Sequence, residues 1–261
     1  MSLETTKNDN FAQLTRSATV SSEKYQLKPD QNRHTVVRAH AVNFHTTNSS
    51  DADSKTPIVG LGAAFKRFSD LLIGGAALIV LAPLLALIAI VIKLDSTGPA
   101  LFSQQRRGRH GESIKVYKFR TMYQNYSTPN PTADSFIQTK KNDTRITRIG
   151  AFLRKTSLDE LPQLFNIMQG SMSLVGPRPH PAPLDEQYKH IIPTLNSRYL
   201  VKPGLTGWAQ VNGYRGETKK LEDMVARVEH DRHYIKNWTL WLDVKIIAAT
   251  AIKGWTQPTA V

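Results

Sequence analysis

The 261-residue chain is about two-fifths apolar and carries a formal charge of +13, which allows one compact domain, or a smaller domain with a membrane element and a loose tail. It contains no cysteine, and this excludes a disulfide framework, a thiol nucleophile and cysteine-ligated zinc. The opening Met1–Asn10 is polar and the first apolar run begins near Phe65, so no cleaved secretory signal is expected.

Residues 1–60 hold seven Lys/Arg against six Asp/Glu. They are rich in Ser, Thr, Asn and Asp without a sustained apolar period, which predicts a disordered or weakly structured tail. The basic character therefore belongs to residues 61–261. Between Leu101 and Lys155, twelve Lys/Arg face only Glu112, Asp134 and Asp143. A surface of that kind attracts phosphates, and charge alone leaves open whether lipid headgroups, a nucleotide-sugar or nucleic acid carry them.

Leu71–Ile92 is a run without a charge, interrupted only by Gly74, Gly75 and Pro83. At ~1.5 Å per helical residue it is long enough to cross a ~30 Å hydrocarbon core. Two features favour a helix that dips in and returns. Pro83 removes a backbone donor at mid-run, and basic residues flank both ends, Lys66 and Arg67 before it and Lys93, Arg106, Arg107 and Arg109 after it, so the positive-inside rule draws both to one side. Re-entry and ordinary spanning remain balanced on these residues alone.

Ala100–Arg106 and Ser113–Arg120 flank Gly108–Gly111, a spacing that predicts a β-hairpin. Alternation along the second strand would place Lys118 and Arg120 on one face. Met122–Lys141 reads as a loop. Ile146, Ile149, Phe152 and Leu153 then recur at helical spacing among Arg145, Arg148, Arg154 and Lys155, which predicts a basic amphipathic helix at the headgroups.

Thr156–Leu164 contains adjacent acids, Asp159 and Glu160. Ser157-Leu158-Asp159-Glu160 fits a capping box, a purely structural use; Pro162 moves the expected helix start toward Asp159. The surroundings argue for chemistry. Arg154 and Lys155 precede the acids, and Arg178 stands between Pro177 and Pro179, which stiffen the backbone that aims a phosphate-gripping guanidinium. Val201–Gly213 reads as a Pro203-Gly204 type II turn followed by a Gly-rich stretch ending in amides, suited to a sugar or base. The Trp-rich run from Trp238 to Trp255 predicts an interfacial helix, with a buried core helix as its competitor. His230, Asp231 and His233 are not expected to bind zinc, because no further dedicated ligands accompany them.

Val116–Met122, Ser157–Gln163, Leu174–Pro179 and Lys202–Trp208, in this order, resemble the bacterial sugar transferases, the monotopic polyprenyl-phosphate phosphoglycosyl transferases. The resemblance runs from about Phe65 to about Thr250. It implies an α+β, mostly helical, monotopic membrane protein with a Pro83-broken re-entrant helix at 61–95, a short hairpin, interfacial amphipathic helices and a catalytic domain at 96–261. Some relatives have Ser-Pro at the break where this chain has Ala82-Pro83.

The resemblance further implies that Asp159 attacks a UDP-sugar and passes the sugar phosphate to undecaprenyl phosphate. Glu160, with Asp159, would help to hold Mg²⁺. Lys118, Arg120, Arg154 and Arg178 would offset phosphate charge, and Pro203, Gly204, Thr206, Gly207, Trp208 and Gln210 would form the nucleotide-sugar loop. The likeness of Gly207–Thr218 to exopolysaccharide-initiating members favours UDP-glucose, then UDP-galactose. Expected partners are membrane lipids and downstream glycosyltransferases, without nucleic acid, at the cytoplasmic face of the bacterial inner membrane. Two rivals stay open, a single-displacement enzyme with Asp159 as base or metal ligand, and a non-catalytic basic adaptor for lipid or nucleic acid.

Overall fold

The computed structural model describes residues 56–127, 139, 142–216 and 220–253. Residues 1–55 of the expected 1–60 tail, the centre of the expected 122–141 loop, Glu217, Thr218 and Trp255 lie outside the described residues.

Helix α1 spans Gly60–Asp95 and contains Pro83 without a break in its helical assignment. One stripe of it faces the protein. Lys66, Asp70 and Gly74, and again Ile88 and Ile92, are buried, at the four-residue spacing that keeps side chains on one side of a helix. The opposite side exposes Phe65, Phe68, Leu72, Ile79, Val80, Leu87, Ile90 and Leu94. An apolar face this long exceeds what a water-facing surface ordinarily leaves uncovered, and it fits membrane association.

Strands β1 (Leu101–Arg107) and β2 (Ser113–Phe119) pair antiparallel, from Leu101 opposite Phe119 to Arg107 opposite Ser113. His110 and Gly111 take positive φ in the turn. Helix α2 (Arg148–Thr156) starts two residues after Ile146, which instead bridges to Met122. Its first turn is capped by the Thr147 hydroxyl, which accepts from the Gly150 N–H at 2.9 Å. Leu153 is buried while Phe152 is exposed, as an amphipathic helix requires.

Helix α3 (Gln163–Gln169) follows a 3₁₀ turn at Leu158–Glu160. The start expected near Asp159 is therefore displaced past Pro162, because that turn makes i→i+3 bonds, among them the Glu160 N–H to the Ser157 carbonyl at 3.2 Å. Strands β3 (Ser173–Val175) and β4 (Gly204–Thr206) pair in parallel. Between them lie helix α4 (Ala182–Tyr188) and a 3₁₀ segment, Pro193–Leu200. Helices α5 (Trp208–Val211), α6 (Leu221–Lys236) and α7 (Leu240–Lys253) complete the described chain.

Pro203-Gly204 does not form the expected type II turn. Gly204 enters β4, and its lack of a side chain lets the Gly176 backbone approach, since a Cβ there would lie 2.1 Å from the Gly176 nitrogen. The core is shared by Val116 of β2, Leu164 and Ile167 of α3, Val175 of β3, Tyr234 and Ile235 of α6 and Ile246 of α7. A second cluster joins Ile88 and Ile92 of α1 to Phe119 and Leu153.

The Trp-rich end divides between the two expected roles. Trp238, just before α7, is 8% exposed and Trp241 64%; within α7, Asp243 and Ile246 are buried while Leu240, Trp241, Val244 and Ile252 face outward.

Candidate active site

The acidic pair occupies the short turn between α2 and α3. Ser157, in the left-handed conformation at φ 62°, ends α2 and redirects the chain. Leu158 and Leu161 stand three apart on a 3₁₀ turn, so they share one side, and both pack on the cluster around Leu153. That anchorage fixes the intervening acids. The capping-box geometry is not used, since the Ser157 hydroxyl is buried without a hydrogen-bond partner and the Glu160 side chain turns elsewhere.

Glu160 accepts from Lys118 Nζ at 2.9 Å and from Arg178 Nη1 at 2.9 Å and Nη2 at 2.5 Å. Arg215 Nη2 stands 4.0 Å away. Burial opposes ionisation of Glu160, yet Arg178, Lys118 and Arg215 together hold it well below the usual carboxylate range. Asp159, 8% exposed, behaves in the opposite sense. Burial pushes its carboxyl up to about 6, the neighbouring Glu160 charge adds to the rise, and Lys118, Arg154 and Arg178 oppose it. Two adjacent acids are thus driven apart in acidity, a pattern frequent where carboxylates do chemistry.

Backbone contacts from distant parts of the chain place these groups. Buried Asn166 of α3 accepts from the Tyr117 N–H at 2.9 Å and donates to the Lys115 carbonyl at 2.7 Å. Through these bonds the helix after the dyad grips the strand that carries Lys118. Arg178 is set by a second network. Arg198 Nη2 donates to the Arg178 carbonyl at 2.7 Å, and its Nε donates to buried Asp231 at 2.7 Å. His180 lies 2.9 Å from Asp185 and 2.7 Å from Arg198. Burial, with the charge of Arg198, lowers its imidazole to about 3, so it stays neutral.

The Lys202–Trp208 motif supports the Arg178 loop from below. Ser173 N–H donates to the Pro203 carbonyl, Gly176 N–H to Thr206 and Gly204 N–H to Pro177, each at 2.9 Å. A Cβ on Gly207 would lie 2.2 Å from the Gly176 carbonyl oxygen, so both glycines serve close backbone approach. Thr206 Oγ1 lies 2.6 Å from Thr250 Oγ1 of α7, Trp208 stacks on His233 at 5.8 Å, and Gln210 donates to the Leu205 carbonyl. The Trp208 indole N–H and the Gln210 amide oxygen are buried without partners.

Of the four cations nominated from sequence, Lys118 and Arg178 bond to Glu160, and Arg154 stands close enough to Asp159 and Glu160 to feel their charge. Arg120 does not join them. The strand ends at Phe119, and the Arg120 guanidinium, 3% exposed, donates to the Ser96 and Thr97 carbonyls after α1. Arg120 thereby secures the chain that leaves this end of the helix.

Sequence reading does not single out Arg106, Asn166, Arg198 or Arg215 for the site. Arg106 donates to the Pro179 carbonyl at 3.2 Å, and burial beside Arg178 lowers its guanidinium to about 10. Asp231, which the sequence presents only beside two histidines, is committed to Arg198.

The described residues thus enclose an acidic dyad in cations on a body bearing one long apolar helix. The family model for bacterial sugar transferases matches residues 61–257, and the chain belongs to that family. It is 48% identical over 205 residues to a Klebsiella pneumoniae protein named UDP-glucose:undecaprenyl-phosphate glucose-1-phosphate transferase, covering 78% of this chain and 43% of that protein. An exopolysaccharide production protein of Rhizobium leguminosarum bv. phaseoli is 44% identical over 200 residues, 76% of this chain and 96% of its own length. An Aeromonas hydrophila UDP-N-acetylgalactosamine-undecaprenyl-phosphate N-acetylgalactosaminephosphotransferase is 42% identical over 189 residues, 72% of this chain and 43% of that protein.

Proposed function

We propose that the protein transfers glucose 1-phosphate from UDP-glucose to undecaprenyl phosphate, through a phosphosugar bound to Asp159, and so initiates exopolysaccharide synthesis. The observation that carries this reading is the division of the dyad. Glu160 is held ionised by Lys118 and Arg178, while among the described residues none donates a hydrogen bond to either carboxylate oxygen of Asp159. Glu160 organises charge, and Asp159 is left to attack.

In the first step an Asp159 oxygen forms a bond to the β-phosphorus of the donor. The bond from that phosphorus to the bridging oxygen breaks, and UMP leaves with the electron pair. In the second step an oxygen of undecaprenyl phosphate attacks the same phosphorus, the Asp159–phosphorus bond breaks, and the carboxylate is restored. An anionic nucleophile approaches an anionic diphosphate only where charge is offset, and Arg106, Lys118, Arg154, Arg178 and Arg215 surround two carboxylates. That excess of cations matches phosphate substrates.

Mg²⁺ fits as part of this reading. Glu160 Oε1 accepts from both Lys118 and Arg178, whereas Oε2 accepts a single hydrogen bond, so a lone pair remains; Asp159 and Glu160, with the donor's phosphates, would hold Mg²⁺ through oxygen, the ligand type it takes. When bound, the ion would neutralise charge on the diphosphate.

Re-entry of α1 belongs to the same proposal. Its support is that both ends meet one body: Lys66 Nζ donates to Asp243 of α7 at 2.7 Å, and Ile92, near the other end, joins the cluster of Phe119 and Leu153. A helix crossing the bilayer would part those ends. The exposed apolar faces of α1 and α7 then enter the cytoplasmic leaflet of the inner membrane, where a water-soluble donor and a lipid acceptor can reach one carboxylate. Glycosyltransferases that extend the lipid-linked sugar would act next.

The test is incubation of the detergent-purified protein with β-³²P-labelled UDP-glucose without acceptor. Label should remain on the denatured chain, map to Asp159, and be absent from Asp159→Asn. UMP release that waits for undecaprenyl phosphate, with no labelled protein, would establish single displacement instead.

A further inference from the structure

We infer that Arg215 is the residue that grips the donor's diphosphate, a role distinct from that of Arg178, whose guanidinium is already committed to Glu160. The naming of the ligand as a nucleoside diphosphate-sugar rests on the function proposed above; the placement of Arg215 does not.

The cations around the dyad differ in what they hold. Lys118 Nζ bonds to Glu160, and both terminal nitrogens of Arg178 do the same. Arg106 donates to the Pro179 carbonyl and to Gln104. Arg215 makes no hydrogen bond among the described residues; its one ion-pair contact is the 4.0 Å approach to Glu160. Its side chain is only 15% exposed, so a group with five N–H donors is largely withdrawn from water and left with donors to offer. None of its nitrogens is sealed from water without a partner, so its donors remain open to an incoming ligand. A phosphate oxygen arriving beside Asp159 would accept from them, in the bidentate geometry that guanidinium favours.

The segment carrying Arg215 is built to aim it. Gly213 adopts φ 97°, a left-handed conformation that suits glycine. The Tyr214 N–H returns to the Ala209 carbonyl at 3.0 Å. Its ring lies 4.8 Å from that of His230. Arg227 of α6 then donates to the Gly216 carbonyl at 2.5 Å. Arg215 is thereby fixed on both sides. These contacts also give His230 a use, as part of the wall behind the loop.

The experiment measures equilibrium binding of uridine, UDP-glucose and inorganic pyrophosphate to the full chain in detergent, for wild type, Arg215→Lys and Arg215→Ala, with the UDP-glucose titrations made in the Asp159→Asn background so that no half-reaction consumes the donor. Thermal unfolding of each variant is followed in parallel. Arg215→Ala should weaken UDP-glucose and pyrophosphate about 10- to 100-fold and leave uridine unchanged, a size expected for charge-assisted hydrogen bonds. Arg215→Lys should fall between, and added guanidinium should restore part of the loss in Arg215→Ala. Unchanged pyrophosphate and UDP-glucose binding would overturn the inference. So would equal losses for uridine and UDP-glucose, or a folded Arg215→Ala that guanidinium does not rescue. If wild type binds pyrophosphate through Arg215 but not UDP-glucose, the donor assignment fails and the diphosphate site stands.

Discussion

Asp159 and Glu160 are adjacent in sequence and opposed in acidity, and that contrast has measurable consequences. If ionised Asp159 is the nucleophile, the donor half-reaction should rise with pH through about 6, the value to which burial lifts its carboxyl. Glu160 adds to that rise, and Lys118 and Arg178 are held by it. In Glu160→Gln the acidic limb should therefore move below 6 in a pH–rate profile of UMP release, alongside a lower unfolding midpoint. An unmoved limb would remove Asp159 from the rate-controlling ionisation. For stability the sign runs the other way. Between about 4 and 6 the folded chain holds the Asp159 proton more tightly than the unfolded chain, so this residue's contribution falls as pH rises through that window and is level above it. Asp159→Asn should gain stability at neutral pH, on the order of 2 kcal/mol, while losing activity. Arg120 provides the contrast. Its buried guanidinium serves the Ser96 and Thr97 carbonyls, so Arg120→Gln should lower the unfolding midpoint, at a cost of about 1–3 kcal/mol, with little change in KM for the donor.

At the scale of elements, the Leu174–Pro179 and Lys202–Trp208 motifs prove to be two halves of one joint. Gly176, Gly204 and Gly207 let β3 and β4 meet backbone to backbone, and the loop bearing Arg178 rises from that junction. Gly176→Ala would put a Cβ 2.5 Å from the Lys202 carbonyl and 2.9 Å from the Gly204 nitrogen, contacts that only a backbone shift relieves. Donor turnover should fall more than 10-fold, because small misplacements of positioning groups are amplified in rate. Retained kcat and KM would show that the joint does not position Arg178. The hairpin was legible because its turn residues and strand patterns are local. Lys118 and Arg178 were legible as cations, but their common partner was not, since residues 118, 160 and 178 meet only through α3 and the Arg198 network.

For the molecule as a whole, α1 presents the long exposed apolar face, and under the proposed function it sets where the chemistry takes place. Leu61 and Leu94, both strongly exposed, mark its two ends, and the chain has no native cysteine to interfere with labelling. With re-entry, Leu61→Cys and Leu94→Cys should both resist an impermeant maleimide in intact cells and both react after permeabilisation. Reaction at one end alone in intact cells would show a crossing helix.

The amino-acid sequence by itself determined the apolar length of α1, the hairpin, the basic surface and the acidic pair, because periodicity, charge and turn chemistry act over a few residues. Tertiary structure alone decided that Glu160 is clamped while Asp159 is left without such bonds, that Arg120 serves the end of α1, and that Arg215 reaches the dyad. Those outcomes depend on which distant groups share a buried space, where desolvation and the nearest opposite charge set both acidity and the availability of each side chain.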